Sequence, residues 1–315
     1  MRYQHIFGPV PSRRLGISLG IDPIPFKTCT YNCVYCECGG TTNLTIERKE
    51  YIPIKDIINE LKDYLDKNPK LDYITFSGSG EPTLNIGIGK IIEFLKSNYP
   101  YYKIAVLTNG SLLFEKSVRN EIIGADLVMP SLDVVSEQAF RRINRPPKSL
   151  EIQKIVSGLI EFRKEFEGQI WLEVFIVPGL NDTDNELKLL KDAIKKIKPN
   201  RVQINSLDRP GTENWVQPVS KENMERIVSL FQDLPVEIIA NFKPREQIAS
   251  FDFNIEERIL ATIKRRPCTA EDLSETLGIH INEVNKYLQT LLERRIIESQ
   301  NLERGVFFKT IKDGK

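Results

Sequence analysis

The run Cys29-Thr30-Tyr31-Asn32-Cys33-Val34-Tyr35-Cys36 sets three thiols on one short segment. Cys-x3-Cys-x2-Cys spacing lets three thiolates from a single loop converge on one cluster while a fourth position stays unclaimed, so it points to an iron–sulfur enzyme with an iron open for chemistry. Pro23 and Pro25 stiffen the approach and Gly39 and Gly40 release it, which suits ligands carried on irregular backbone. Three other readings stand beside this one. A zinc knuckle needs a fourth ligand, and only Cys38 is near, since His5 and His280 are distant in sequence. A closed four-cysteine electron-transfer cluster would also enlist Cys38, although the spacing fits neither common ferredoxin pattern. Structural thiols or disulfides belong to oxidising compartments, and the chain shows no signal peptide to send it to one.

Outward from this loop, short apolar runs alternate with amphipathic stretches as far as about residue 240, the pattern of repeated β-α units around a parallel sheet. Strands are expected at Leu15–Ile21, Tyr73–Phe76, Ile104–Leu107, Leu127–Met129, Trp171–Val177 and Val202–Ile204, with a seventh short one at Val236–Ala240. Helical periodicity fits Ile54–Leu65, Ile88–Ser97, Leu150–Phe166, Glu186–Ile197 and Lys221–Phe231; around Ile57, Ile58, Leu61 and Leu65 the apolar residues recur three or four apart and form one stripe. Six units predict a partial (β/α)6 TIM-like barrel, since a full barrel needs about 250 residues and two more units.

Such folds place working residues at the carboxyl ends of their strands. Polar and glycine-rich segments stand at those ends: Ser77 to Pro82, Thr108-Asn109-Gly110, Ser131-Leu132-Asp133, Val177 to Asp182 and Asn205 to Arg209. In the first of these, glycines that admit a ligand, a carboxylate and a preceding strand coincide, although Glu81 as an ordinary turn cap explains the same residues. Asn109 and Ser131 equally suit Asx-turn and helix-capping work, and Asn181-Asp182 reads as the start of the next helix. Arg13, Arg14, Arg141, Arg142 and Arg145 read as solvated; Arg209, after the sixth strand, is the substrate-binding candidate for an anionic group.

The cysteine run resembles the signature of the radical S-adenosylmethionine (SAM) superfamily. The resemblance implies a [4Fe-4S] cluster on Cys29, Cys33 and Cys36, with SAM chelating the unique iron. One-electron reduction, from a donor such as flavodoxin or ferredoxin, then cleaves SAM to methionine and a 5'-deoxyadenosyl radical that removes hydrogen from a substrate. It further implies that Tyr35 lies against the adenine and that Gly80 and Glu81, in the counterpart of a Gly-Gly-Glu-Pro segment whose first glycine is here Ser79, hold the methionine ammonium. Asn109, Ser131 and Asp133 would meet other parts of the cofactor. Phe7 to Gly16, Gln203-Ile204-Asn205 and Asp208-Arg209-Pro210 resemble the uncharacterised branch related to wyosine-type transfer-RNA synthetases, over about residues 5 to 240. The tricyclic-base synthases of that group carry a second, amino-terminal cysteine set that this chain lacks, so their reaction is not implied.

Beyond Phe251 the pattern changes. Helices at Ile255–Ile263, Ala270–Leu277 and Ile281–Arg294, with a hairpin of Ile296-Ile297 and Val306–Phe308, predict a winged helix with Leu273, Leu277, Val284, Leu288, Leu291 and Leu292 as its core. The expected domains are 1–245 and 252–315. The second carries 11 basic and 11 acidic residues from Asp252 to Lys315, a poor balance for tight DNA binding. The whole chain of 315 residues has 44 basic and 43 acidic residues, which gives no support for a global polyphosphate-binding surface. It has no apolar run of membrane-spanning length, and a cytoplasmic oxidoreductase is expected. Two classes of function follow: a radical SAM enzyme with an unidentified substrate, small or macromolecular, or an iron–sulfur redox-sensing DNA-binding regulator. The five loop-end segments favour the enzyme.

Overall fold

The computed structural model describes residues 3–12, 14–207, 211–239, 253–265, 267–302 and 305–311. It begins with β1 (Ile6–Ser12), β2 (Gly16–Ile21) and two short paired segments, β3 (Thr28–Cys29) and β4 (Asn43–Leu44), the first of which opens the cysteine loop. Then come α1 (Ile54–Leu65), β5 (Tyr73–Phe76), α2 (Ile88–Asn98), β6 (Lys103–Thr108), α3 (Lys116–Ile122), β7 (Leu127–Pro130), α4 (Glu137–Ile143) and α5 (Ile152–Glu165). The barrel ends with β8 (Gln169–Ile176), α6 (Asp184–Ile197), β9 (Arg201–Ser206), α7 (Lys221–Leu230) and β10 (Val236–Ile238). The sheet runs β1-β2-β5-β6-β7-β8-β9-β10, parallel except for β1 against β2. Among the described residues no pairing joins β10 to β1, so this is an α/β partial barrel.

The six expected parallel strands and the seventh all form, within one or two residues of their expected bounds. β1 was not expected, because Pro9 and Pro11 argue against a strand; as the antiparallel edge of the sheet it tolerates missing backbone donors. α3 and α4, seven residues each, are too short for a clear 3.6-residue period.

Alternation along the strands sorts two faces. Leu19, Ile21, Ile74, Phe76, Ile104, Val106 and Val128 share a continuous core with helix residues such as Ile57, Leu61 and Leu65, all buried. Each such side chain contributes about 1.5–3 kcal/mol on burial. Inside the barrel, Leu15, Ala105, Leu127 and Met129 form a smaller apolar floor, and Ser18 and Thr75 share a 2.6 Å hydroxyl contact.

The C-terminal unit contains α8 (Phe253–Arg265), α9 (Ala270–Leu277), α10 (Ile281–Glu293) and the antiparallel pair β11 (Ile297–Leu302) and β12 (Gly305–Thr310). Thr269 and Asp272 close a capping box at the start of α9, and Gly278 ends it in the left-handed region. The unit has its own core, with Leu273, Val284, Leu288 and Leu291 buried and Leu277 and Leu292 partly so. No helix among the described residues is long and apolar enough to cross a membrane.

Candidate active site at the cysteine loop

None of the five cysteines is in a disulfide. Each motif sulfur accepts a nitrogen donor from a different part of the barrel. Asn109 Nδ2, beyond β6, reaches Cys29 Sγ at 3.5 Å and Thr30 Oγ1 at 2.7 Å. Asn144 Nδ2, at the end of α4, reaches Cys33 Sγ at 3.5 Å. Lys27 Nζ reaches Cys36 Sγ at 3.2 Å. Burial, with the Glu81 carboxylate nearby, pushes the Cys29 thiol up to about 12, and burial likewise raises Cys33. Cys36 is drawn down to about 5, first by a hydrogen bond from Cys38 and then, against burial, by the Lys27 charge. Among the described residues no three His, Cys, Asp or Glu side chains close on a single metal ion.

The segment after β5 folds tightly against this loop. A β-carbon on Gly80 would lie 1.9 Å from the Thr28 carbonyl oxygen, a backbone atom, so only glycine permits that approach, and one on Gly78 would lie 2.1 Å from Asp22 Oδ1 and displace that side chain. Glu81 is 1% exposed. Its Oε1 accepts Thr83 N at 3.0 Å, Thr83 Oγ1 at 2.6 Å and Thr108 Oγ1 at 2.6 Å; among the described residues Oε2 accepts Asn109 N alone, at 2.7 Å. The capping role is therefore real, and Oε2 keeps a lone pair for a further donor. Burial raises the Glu81 pKa in spite of these bonds. Asn109 Oδ1 accepts Ser111 N at 3.0 Å, the Asx turn that its sequence position suggested.

Asp133 is a hub. Oδ2 accepts Tyr35 OH at 2.6 Å and Asn144 Nδ2 at 2.8 Å, and Oδ1 accepts Phe175 N at 2.9 Å. Burial pushes its pKa up to about 6. Tyr35, held at its hydroxyl by Asp133, stacks on Phe175 with centroids 3.9 Å apart and planes 9° apart. Asn181 does not start the next helix as its position suggested. It is 1% exposed and donates to the Asp133 and Phe175 carbonyls at 2.9 and 2.8 Å, while Thr183 caps α6. Ser131, half-buried beside Leu132 and Asp133, lines the same small recess as Tyr35 and Asn109.

Inside the barrel, Arg14 is not solvated. Its Nη1 donates to Glu173 Oε2 at 2.5 Å and Gln203 Oε1 at 3.2 Å, and Asn205 Nδ2 donates to Glu173 Oε1 at 3.1 Å. The Glu173 carboxyl, on β8, is held low by Arg14 against the cost of burial. Arg145 likewise pairs with Glu213, at 2.5 Å, and Arg141 with Glu137, at 2.5 Å. Arg209 and Arg13 lie outside the described residues. Sequence reading missed Lys27, Asn144 and Glu173; only Lys27, two residues before Cys29, had proximity to the motif as a signal.

The C-terminal unit sits against this rim. Asn282 Nδ2 donates to Asp22 Oδ2 at 3.1 Å, and Ser79 Oγ donates to Asn282 Oδ1 at 3.1 Å. Gly8 N reaches Glu283 Oε2 at 3.3 Å, and the His280 ring stacks on Phe7 with centroids 4.9 Å apart. Ser79, which stands where the resembling segment has glycine, thus spends its hydroxyl on holding α10. A cavity of about 200 Å³ inside the barrel is bounded by Ser18, Thr75, Gly78, Cys38, Asn282 and Asn285, and one of about 700 Å³ lies between the cysteine loop and the C-terminal unit.

Residues 24–194 match the family model described as the radical SAM superfamily. A UPF0026 protein of Methanocaldococcus jannaschii is 37% identical over 316 aligned positions, covering 97% of this chain and 96% of the relative. The fold is similar to a radical SAM methyltransferase from Sphaerobacter thermophilus, with a TM-score of 0.56 at 15% identity over 72% of this chain and 67% of that one. It is also similar to Streptococcus suis SuiB, in a structure bound to S-adenosylmethionine, with a TM-score of 0.54 at 13% identity over 75% of this chain and 54% of that one.

Proposed function

The chain belongs to the radical SAM superfamily and is an enzyme, and from that premise we propose that Cys29, Cys33 and Cys36 ligate one [4Fe-4S] cluster. The observation that carries this reading is the set of three N–H donors, Asn109, Asn144 and Lys27, each aimed at a different motif sulfur. Donors to sulfur accompany thiolate ligands in such centres and set their potential. The donor chemistry fits: three free thiols on one loop, each with a nitrogen donor at its sulfur, are the ligand type that iron–sulfur clusters take. When bound, cluster and SAM together supply a 5'-deoxyadenosyl radical for hydrogen abstraction from the substrate.

The protein's own residues prepare that site. Glu81 Oε2 offers its remaining lone pair to the methionine ammonium, and Gly80 lets the backbone come close. Asn109 orients Cys29 and Thr30 together. Asp133 fixes Tyr35 by its hydroxyl, where the ring would lie against the adenine, and Ser131 borders the same recess. We assign the substrate to the barrel interior, where Glu173, Arg14 and Asn205 offer paired donors and acceptors; Arg209, from its place in the sequence, is a candidate hydrogen-bond donor to an anionic group. The relation to the wyosine-type branch rests on the sequence resemblance of Phe7 to Gly16 and of Gln203-Ile204-Asn205, of which Gln203 and Asn205 join the Arg14 and Glu173 network. We place the reaction in the cytoplasm, with an electron donor such as flavodoxin or ferredoxin.

Residues 252–315 are read as a winged helix following a barrel domain of 1–245. The regulator reading weakens on one observation: Asn282 and Gln289 of the presumed reading helix α10 are each only 8% exposed, and Asn282 is bonded to the barrel. Anaerobic reconstitution, dithionite reduction and chromatography test the enzyme reading. Slow release of 5'-deoxyadenosine without substrate or DNA is expected; a fully loaded, reduced protein that leaves SAM intact would count against it.

A further inference from the structure

Lys27 is 2% exposed, a rare burial for an ammonium without a carboxylate beside it. Among the described residues no carboxylate pairs with it. Its nearest polar partner on the motif is a sulfur, with Nζ 3.2 Å from Cys36 Sγ. The backbone is committed to this placement. Lys27 has φ of 57°, in the left-handed region that residues with a β-carbon rarely adopt. Flanking loops hold it there: Lys27 N donates to Ser79 O at 3.2 Å, and Lys27 O accepts Thr42 N at 3.2 Å and Asn43 N at 3.1 Å.

We propose that Lys27 is the electrostatic partner of the cluster ligands, its ammonium raising the reduction potential of a cluster bound to Cys29, Cys33 and Cys36. The inference rests on the cluster assignment made above. In the step concerned, one electron passes from the external donor to the cluster; no bond forms or breaks and no proton moves. The reduced centre carries one more negative charge, in a buried setting where a fixed cation and an N–H···S bond favour it over the oxidised centre. Asn109 and Asn144 donate to the other two sulfurs without charge, so Lys27 alone of the three donors adds a full positive charge.

The test is an EPR-monitored redox titration of reconstituted, SAM-free protein, with iron and sulfide measured on each sample. Lys27→Gln keeps a polar donor and removes the charge; Lys27→Arg keeps the charge. Expected is at least a tenfold shift of the reduction equilibrium toward the oxidised cluster in Lys27→Gln, about 59 mV for a one-electron couple, and a clearly smaller shift in Lys27→Arg. A potential in Lys27→Gln equal to that of the wild type overturns the inference. If Lys27→Gln holds no iron while Lys27→Arg does, the charge is needed even to assemble the centre, which supports it. Loss of iron from both makes the residue structural and overturns it. Wild-type protein that holds no cluster would instead sink the cluster assignment, separately from Lys27.

Discussion

Two buried carboxylates stand on the same rim and are satisfied in opposite ways. Glu81 takes all four of its bonds from Thr83, Thr108 and Asn109, inside the barrel that carries it. Asp22 takes a side-chain bond from Asn282, 260 residues away in the C-terminal unit, and burial pushes its pKa up to about 7 although the backbone of Ser79 and Ile24 in the barrel also bonds to it. The difference separates a self-contained site from a conditional contact. The donors to the three motif sulfurs, Asn109, Asn144 and Lys27, come from the barrel, whereas the C-terminal unit meets the mouth through polar bonds of Asn282 and Glu283 and the ring stack of His280.

The barrel side breaks most completely at the thiols. Cys33→Ala should lose bound iron altogether, while Cys38→Ala and Cys268→Ala keep it, as iron and sulfide analysis will show. If Cys38→Ala strips the protein equally, the three-ligand assignment is wrong and the closed four-cysteine reading returns.

Next in size is Glu81→Ala. It orphans buried donors from Thr83, Thr108 and Asn109 at about 1–3 kcal/mol each, not additively, so a loss of about 3 kcal/mol in urea unfolding is expected. SAM affinity should also fall on the order of tenfold, from a lost charge-assisted bond of about 1.5–3 kcal/mol. Unfolding without a change in dissociation constant would leave Glu81 as a cap alone.

Asn282→Ala sharpens the other half of the comparison. The bridge between Asp22 and Ser79 disappears, costing about 1–3 kcal/mol of docking. Amide exchange should quicken in α10 while β5 and β6 keep their protection; equal quickening in the barrel would mean that the two regions are one cooperative unit.

The smallest effect is one of pH. A carboxyl whose pKa is raised on folding lends stability that is fully present below its ordinary value near 4 and is lost as pH rises through about 7. His280 Nε2 lies 3.7 Å from Asp22 Oδ2, and Glu283 lies on the same turn. After correction for intrinsic rates, α10 protection should fall severalfold between pH 5 and pH 8 in the wild type and stay level in Asp22→Asn. A flat wild-type profile would remove Asp22 from the docking account.

Legibility followed the range of the interaction. The helix expected at Ile54–Leu65 has those bounds because a stripe at Ile57, Leu61 and Leu65 is a local period. The three helices and hairpin of the C-terminal unit were legible for the same reason, with a capping box and a left-handed glycine as punctuation. Asn181 was misread as a helix start, since an Asn before Asp looks like a cap until Asp133 and Phe175 offer it carbonyls. Arg14 was read as solvated because nothing near it in sequence announces Glu173.

By itself the sequence determined the three-thiol loop, the order of β-α units and the polar ends of the strands, since spacing and hydrophobic period are properties of neighbouring residues. Only the tertiary structure decided which polar groups serve the thiols and which hold the C-terminal unit. A buried donor must find an acceptor wherever the packed chain brings one, and here Asn109 meets Cys29 across 80 residues, Asn144 meets Cys33 across 111, and Ser79 meets Asn282 across 203.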